Sequence, residues 1–257
     1  MFEWLKRWQT RMTLKRTLSS LVPLLVDAIP QAVTGLKPSS PLCMVRIRYY
    51  DTHAPCTYLS LETVSAERRA QVVQGKGSDA PHVLWGLDEQ CRDQEVMVPP
   101  EGPAGKRDKE IAALFEDVYQ ALAADEEKNM VRFRKMLWEV ARKLNTMDWK
   151  NIAPTTDDFV LVPAEGSGSF RDDFDDIFKS IPAARLSLLI SRGFLPEEWS
   201  RFDPKAAQAA YEAEEGAATL RELQKPGMVR CPNTKCGKAV PKEARRCPHC
   251  QGPGPSY

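Results

Sequence analysis

Four cysteines near the carboxyl end are the residues whose types and spacing could do chemistry. They lie in the motifs CPNTKC and CPHC, within a stretch of twenty residues: Cys231, Cys236, Cys247 and Cys250. Two close pairs separated by a short hairpin can turn four sulfurs toward one point about 2.3 Å from each, as tetrahedral Zn²⁺ requires. Four sulfurs leave no open coordination position, so the spacing predicts one structural Zn²⁺ and no catalysis by the metal.

Metal binding is also favoured because this segment has few apolar side chains to bury. Met228, Val229 and Val240 are the larger aliphatic residues available, and each contributes about 2 kcal/mol on burial. A structural zinc supplies an apparent ~10–16 kcal/mol to a small module. The alternatives are a disordered tail with incidental cysteines and a disulfide framework, and the second requires an oxidising compartment of which the sequence shows no sign.

The residues around the cysteines resemble the zinc-ribbon family, whose pattern reads CPxCGK, a few residues that include VP and AR, then CPxCG. About 25 residues carry the resemblance, and three pairs match in order: Gly237-Lys238, Val240-Pro241 and Ala244-Arg245. The chain departs from the pattern twice, because four residues separate the first two cysteines and Gln251 replaces the second glycine. The resemblance implies a ribbon, with a looser first knuckle, that binds nucleic acid or protein or packs on its own domain.

The formal net charge of +1 conceals two basic ends around an acidic middle. Residues 1–16 sum to +4 and residues 225–257 to +6, which leaves −9 between them. One Zn²⁺ with four thiolates lowers the ribbon to about +4. Five ribbon cations are candidates for contact with nucleic-acid phosphates or with a partner protein: Lys235, Lys238, Lys242, Arg245 and Arg246. The alternative interpretation of these charges is a solvated face.

Six aspartates form the most concentrated acidic group of the chain: Asp157, Asp158, Asp172, Asp173, Asp175 and Asp176. Carboxylates brought close together could bind Mg²⁺ or Ca²⁺ or share a proton, as in a hydrolase or nuclease. A calcium loop requires oxygen ligands at alternate positions ending in glutamate, and this pattern is not met. We favour a solvated loop, with an acidic patch that meets a basic partner surface as the next alternative.

The other candidate residues predict no catalysis. Cys43, Cys56 and Cys91 lack metal spacing and are expected to be small buried side chains. His53 stands three residues before Cys56, but in a predicted turn. His249 is expected to face solvent, because the cysteines on either side of it complete the ligand set. The sequence contains neither a G-x-S-x-G elbow nor HExxH, so we expect a protein that is not an enzyme.

Residues 2–29 have apolar side chains at helical spacing with basic residues opposite, which predicts one or two amphipathic helices. Such a segment could touch a membrane surface through residues 1–16, dock on a partner or pack on its own domain. The apolar run 21–29 is shorter than the ~20 residues that span a bilayer, and Pro23 and Asp27 interrupt it. The first residues do not form a secretory signal, so we expect a cytoplasmic protein.

The centre of the chain predicts an α+β domain. Alternation predicts a strand over 43–50 with a hairpin partner over 57–61, and Ser65 is predicted to cap a helix that ends at Val73. The remaining predicted elements are a short strand over 82–87 between loops at 74–81 and 99–107, helices over 111–122, 133–144 and 182–192, a strand over 159–162, and an exposed connecting helix over 203–224. Gly193 is predicted to end the third of these helices.

We therefore expect a helix-rich α+β domain with a small antiparallel sheet, plus a carboxyl-terminal zinc ribbon. The predicted division is a basic amphipathic helix over 1–20, the α+β domain over 21–200, a connecting helix or linker over 201–226 and the ribbon over 227–257.

Several segments of the body resemble an uncharacterised family of bacterial domains found among toxin-immunity and defence-associated proteins. They span about residues 21–197 and read VRIRYYD, YLSLET, LFEDVYQAL, RFRKMLWEVARKLN, TDDFVLV and SIPAARLSLLISRGFLP. The resemblance implies a fold and a context but no catalytic residue.

The combined prediction is a non-enzymatic interaction or accessory protein of immunity or defence type. Its body would recognise a partner protein and its ribbon would add contacts to protein or nucleic acid. A nucleic-acid binder and a hydrolase or nuclease that uses the aspartates are the alternatives.

Overall fold

The computed structural model describes residues 2–49, 57–77, 80–85, 91–102, 105–124, 126–166, 170–201, 219, 221–225, 227–233, 236–242, 244, 246–251 and 253. The chain divides into two compact units, Met1–Ser200 and Arg201–Tyr257. The elements of the first unit are α1 (Phe2–Gly35), β1 (Leu42–Tyr49), β2 (Leu59–Ser65), α2 (Ala66–Lys76), α3 (Ala80–Trp85), β3 (Gln94–Val98), α4 (Lys106–Ala124), α5 (Glu126–Asn145), β4 (Thr155–Glu165), α6 (Phe170–Ser180) and α7 (Ala183–Ser191). The second unit contains β5 (Met228–Arg230) and β6 (Ala239–Pro241). Most of the predicted connecting helix over 203–224 lies outside the described residues.

The sheet of the first unit has the strand order β3-β2-β1-β4. β1 pairs antiparallel with β2, as predicted, with Ile47 opposite Leu61. It pairs in parallel with β4, so the sheet is mixed, and the expectation of an antiparallel sheet was wrong at this one strand. The reason is that α4 and α5 lie between β3 and β4 and carry the chain back across the sheet. The α+β class is confirmed.

One face of the sheet is covered by α1, α4 and α5. The predicted alternation of β1 is confirmed, because Val45, Ile47 and Tyr49 all point into this core and are at most 1% exposed. Phe115 on α4 and Phe133 on α5 pack edge-to-face at 6.3 Å. The two helices predicted by their apolar spacing are therefore the helices that build this layer.

α1 is one continuous helix that contains both Pro23 and Pro30. Within it, Met12–Gly35 is long and apolar enough to cross a membrane by length and composition alone, which the sequence interpretation had excluded because of the proline and aspartate. Among its buried side chains, Leu21, Leu25 and Ile29 are 0% exposed and belong to the core of the unit. A buried core helix passes the same length and hydropathy test, so this one helix is weak evidence for a membrane span.

The second face of the sheet carries a separate core, to which α2, α3, α6 and α7 contribute. The Ser65 cap is confirmed, because the Ser65 hydroxyl accepts a hydrogen bond from the Arg68 backbone N–H at 3.1 Å. The strand predicted over 82–87 was wrong, since the described part of that range is the end of α3. The actual third strand is β3, whose first two residues, Gln94 and Glu95, are exposed. An edge strand with polar residues on both faces gives little alternation to detect.

The free edge of β4 is closed by a side chain from α5. Asn145 donates from Nδ2 to the Leu161 carbonyl and accepts from the Leu161 N–H, both at 2.8 Å. The side-chain amide thus forms the pair of hydrogen bonds that a residue of a neighbouring strand would form. Arg185 donates to the Phe159 carbonyl on the same strand. These contacts satisfy backbone groups that would otherwise be open to pairing with another chain.

The second unit is built on a hairpin of two three-residue strands. β5 and β6 pair antiparallel with Val229 opposite Val240. Val240 is fully buried and clusters with Cys231 and Cys247. This apolar cluster is very small, which agrees with the expectation that burial alone does not hold the segment together.

Candidate metal centre

The first cysteine pair lies in the loop that joins β5 to β6. Cys231 directly follows β5, and its N–H donates to the Lys238 carbonyl at 2.9 Å. The N–H groups of Cys236 and Gly237 both donate to the Asn233 carbonyl, at 2.9 and 3.1 Å. These bonds close the turn in spite of its four intervening residues, so the unusual spacing does not prevent the two sulfurs from converging.

The second pair lies in a tight turn, where the Gln251 N–H donates to the Cys247 carbonyl at 2.9 Å. Asn233 of the first turn reaches across to it, and its Nδ2 lies 3.7 Å from the Cys250 sulfur. Each turn therefore both positions its own cysteines and contacts the other turn.

The four cysteine sulfurs all lie within 4.8 Å of one another. Two of the separations are 3.8 Å, between Cys231 and Cys250, and 3.7 Å, between Cys236 and Cys247. A tetrahedron with metal–sulfur bonds of about 2.3 Å has edges of about 3.8 Å. A disulfide would require about 2.05 Å. The geometry therefore fits four ligands of one metal ion and excludes disulfides among these residues.

Without a metal ion, the surroundings of the cysteine sulfurs favour different protonation states at different positions. At Cys247 burial opposes ionisation, but the N–H groups of Cys250 and His249 donate to the sulfur and lower its pKa to about 6. At Cys231 burial dominates and raises the pKa to about 12. A divalent cation supplies the charge needed to hold all four groups as thiolates, since crowded thiolates otherwise repel one another.

Two positions in the knuckles have left-handed backbone. Gly237 has φ of 58°, as expected for the glycine that follows the first pair, and Gln251 has φ of 57°. The second position is the one at which the zinc-ribbon pattern has glycine. A residue with a Cβ is strained there, by about 1–2 kcal/mol.

The structure describes some of the other ribbon residues that the sequence analysis singled out. His249 is exposed and is not among the residues that converge on the metal position. Lys238, Lys242 and Arg246 are exposed, whereas Lys235 and Arg245 lie outside the described residues. Elsewhere in the chain Cys43 and Cys91 are buried, as predicted, and burial raises the pKa of Cys43 to about 12. Cys56 and His53 lie outside the described residues.

The six aspartates do not all belong to a solvated loop, as we favoured, or to one acidic surface patch, because Asp158 on β4 and Asp176 on α6 are buried. Asp157 is exposed and pairs with Lys150 at 2.7 Å, and that contact holds its pKa below the usual value. Asp175 pairs with Lys179 one turn along α6 at 2.5 Å. The side chains of Asp172 and Asp173 are outside the described set. Asp158 and Asp176 are both 0% exposed and have separate sets of partners.

Asp158 is the centre of a buried ion-pair network on β4. Arg69 makes a bidentate contact with its carboxylate, at 3.1 and 3.2 Å, and Arg192 lies 2.9 Å from Oδ2. The Arg69 guanidinium also stacks 3.8 Å from the centre of the Phe194 ring. Burial alone would raise the pKa of Asp158, but hydrogen bonds from Thr156 and the two arginines outweigh it and lower the pKa. The network ties α2 and the end of α7 to the sheet.

Asp176 on α6 lies in a different buried network. It accepts hydrogen bonds from the Tyr49 hydroxyl at 2.8 Å and the Trp138 indole N–H at 2.5 Å. The Arg134 guanidinium lies 3.2 Å from Oδ1. Burial outweighs these favourable contacts and raises the pKa of Asp176 to about 6. The carboxylate thus joins α6 to β1 and α5.

A third group of charges was missed by the sequence analysis. Glu62 on β2 is buried and pairs with Arg46 at 3.1 Å, Arg48 at 2.8 Å and Arg92 at 3.4 Å. Arg92 also contacts Glu95 at 2.6 Å. The signal in the sequence was the polar half of the alternation in β1, to which Arg46 and Arg48 belong. The second helical layer covers part of that side, so these charges are paired inside the unit.

No known protein-family model, curated protein or solved structure matches the chain. The resemblance of the body to defence-associated bacterial domains stays a prediction. The metal site is therefore inferred from the positions of the four cysteines.

Proposed function

We propose that this chain is a non-enzymatic binding protein in which one structural Zn²⁺ organises a carboxyl-terminal recognition module. The observation that carries the proposal is the convergence of four thiol groups within 4.8 Å on a hairpin with almost no apolar core. An all-sulfur site has no open position for water or substrate, so its role is to fold the module. Zn²⁺ is the ion that this donor set and geometry favour most.

The charges of the first unit support binding over hydrolysis. Asp158, Asp176 and Glu62 are buried and each contacts at least one arginine. Carboxylates that act on a bound metal or water need a free face toward substrate. Because these groups are occupied inside the protein, the hydrolase or nuclease alternative loses two of its six candidate aspartates, Asp158 and Asp176. We propose recognition of a partner protein in its place, in an accessory role of immunity or defence type.

A second candidate function is nucleic-acid binding by the ribbon. The observation that favours it is the exposure of Lys238, Lys242 and Arg246 on one small module. Contacts to phosphates release counterions, so affinity for DNA or RNA should fall steeply between 50 and 200 mM salt. An affinity that is flat over this range would exclude phosphate contacts as the basis of binding.

The metal is tested by elemental analysis of the purified full chain. We expect about one equivalent of zinc, and well below that for Cys247→Ser, because three thiolates cannot complete the site. Cys91→Ser is the matched control, since it also removes one buried thiol but lies outside the cluster. A chelator should make residues 227–257 sensitive to protease. Less than about half an equivalent in the wild-type chain would contradict the proposal.

The binding role is tested by co-purification from the native host with and without nuclease. A protein that is retained by the wild-type and Cys91→Ser chains, lost with Cys247→Ser and resistant to nuclease supports partner recognition through the ribbon. Loss on nuclease treatment supports the second candidate. Turnover of a phosphodiester or peptide substrate that depends on Asp157 or Asp158 would contradict both.

A further inference from the structure

A groove runs between α1 and α5 on the surface of the first unit. Its volume is about 510 Å³. Its walls include Met12, Lys15 and Val22 of α1 and Arg132, Lys135 and Met136 of α5. The lining from Met12 to Val22 covers about 15 Å of helix, at 1.5 Å for each residue. The groove is therefore about three helical turns long.

The floor of this groove is apolar and partly open to solvent. Val22 and Met136 are buried at its base, at 4% and 5% exposure. Met12, which also lines the groove, is 41% exposed. An exposed apolar side chain in a concave site with an apolar floor is typical of a binding surface, and methionine adapts its shape to different partners.

The rim of the groove is cationic on both sides. Lys15 stands on the α1 wall, and Arg132 and Lys135 stand on the α5 wall. The acidic residue in the lining, Glu139, already pairs with Lys143 at 3.1 Å. The groove therefore presents an apolar floor between cations that favour a negatively charged ligand.

We propose that this groove binds an amphipathic helix of a partner protein, with apolar side chains on the floor and Asp or Glu along the flanks. A concave groove of about three turns between two helices fits a helix better than a flat lipid surface. The helix would be read by apolar anchors spaced i, i+3 or i+4, and i+7. This inference deepens the proposed role in partner recognition by giving the partner's chemistry. It adds a contact on the first unit to the contact proposed for the ribbon.

The test is selection of a display library of random 14-residue peptides on the full chain, followed by fluorescence anisotropy with the enriched peptides. We expect enriched peptides to have apolar residues at helical spacing and an excess of Asp and Glu. Lys135→Glu should weaken their binding by about tenfold or more. Lys109→Glu is the matched control, because it makes the same charge change at an exposed position on α4, and it should leave the affinity within about twofold.

Three results would overturn the proposal: no enrichment, enrichment of peptides without net negative charge, or equal weakening by the two lysine variants. Flotation with vesicles of phosphatidylcholine with and without phosphatidylglycerol is run in parallel. Binding to the anionic vesicles that Lys135→Glu abolishes, without enriched peptides, would assign the groove to lipid and contradict a helical partner. Tryptophan fluorescence checks that each variant is folded.

The Cys247→Ser chain separates this inference from the proposed function. Peptide binding at the groove should persist in that variant, because no cysteine of the metal cluster lines it. If peptides bind but the wild-type chain contains no metal, the proposal of a zinc module is contradicted and the proposal for the groove is supported. If the metal is present and no acidic amphipathic peptide binds, the groove fails and the zinc module stands.

Discussion

Asp157 and Asp158 are neighbours in sequence that lie in opposite environments. Asp157 and its partner Lys150 are 69% and 65% exposed, whereas Asp158 is 0% exposed between two arginines. An exposed ion pair contributes about 0–1 kcal/mol. A buried carboxylate leaves uncompensated charge behind when it is removed, which typically destabilises a protein by about 3–5 kcal/mol.

We therefore expect Asp158→Asn to lower the free energy of unfolding by about 3 kcal/mol or more, and Asp157→Asn to leave it nearly unchanged. Urea unfolding followed by tryptophan fluorescence measures both. All six tryptophans lie in the first 200 residues, so the signal reports the first unit. Similar effects of the two substitutions would mean that Asp158 does not hold α2 and α7 to the sheet.

Asp176 and Asp158 should contribute to the free energy of unfolding with opposite dependences on pH. Its pKa is raised from 3.8 to about 6 in the folded chain, so folding is favoured by the protonated carboxyl group. The contribution of this group is fully present below pH 3.8 and is lost as the pH rises through about 6. The lowered pKa of Asp158 gives stability that is present at neutral pH and lost on acidification.

Asp176→Asn removes this titration and keeps a neutral side chain of the same shape. Relative to the variant, the wild-type free energy of unfolding should fall by up to about 3 kcal/mol between pH 4 and pH 7. Urea unfolding at several pH values measures the difference, and acidic groups elsewhere cancel in the comparison. A difference that is constant with pH would show that the Asp176 pKa is not raised.

At the scale of elements, the turn that contains Cys247 and Cys250, the second knuckle, has a strained backbone position that a substitution can relieve. Gln251 has φ of 57°, where glycine is free of the Cβ clash. Gln251→Gly should stabilise the knuckle by about 0.5–1 kcal/mol after the greater flexibility of the unfolded chain is considered. Because metal binding and folding of such a module are coupled, the Kd for zinc should fall about two- to fivefold.

Competition with a chromophoric chelator measures this change. Gln251→Ala is the control, since it removes the weak contact from the Gln251 amide to the Pro248 carbonyl at 3.4 Å but keeps the Cβ. It should not tighten zinc binding. If alanine and glycine have the same effect, the side chain and not the backbone determines the stability of the knuckle.

The elements themselves were predicted well where the signal is local. Helical apolar spacing gave α4 and α5, and the Ser65 cap marked the start of α2. The errors lie at α3 and β3, where a short apolar run formed a helix and a largely polar run formed an edge strand. In such short segments the pairing partner decides the structure, and the partner is distant in sequence.

At the scale of the whole molecule, the two units depend on different forces. The first has apolar cores on both faces of a four-stranded sheet. The second has a minimal apolar cluster that surrounds the cysteines. A domain of about 200 residues buries enough surface to fold without a metal, whereas a short hairpin module does not. We therefore expect removal of metal to act on the second unit.

The four cysteines that can bind a metal ion were identified from the sequence alone, because two short cysteine turns, one between β5 and β6 and one after β6, fix the sulfur positions through local geometry. Only the tertiary structure decided which charges are buried. Asp158 meets Arg69 across 89 residues, and Asp176 meets Tyr49 across 127. The parallel direction of β4 and the groove between α1 and α5 also depend on distant segments. Contacts of this kind depend on how layers pack, and no local pattern of residue types encodes that packing.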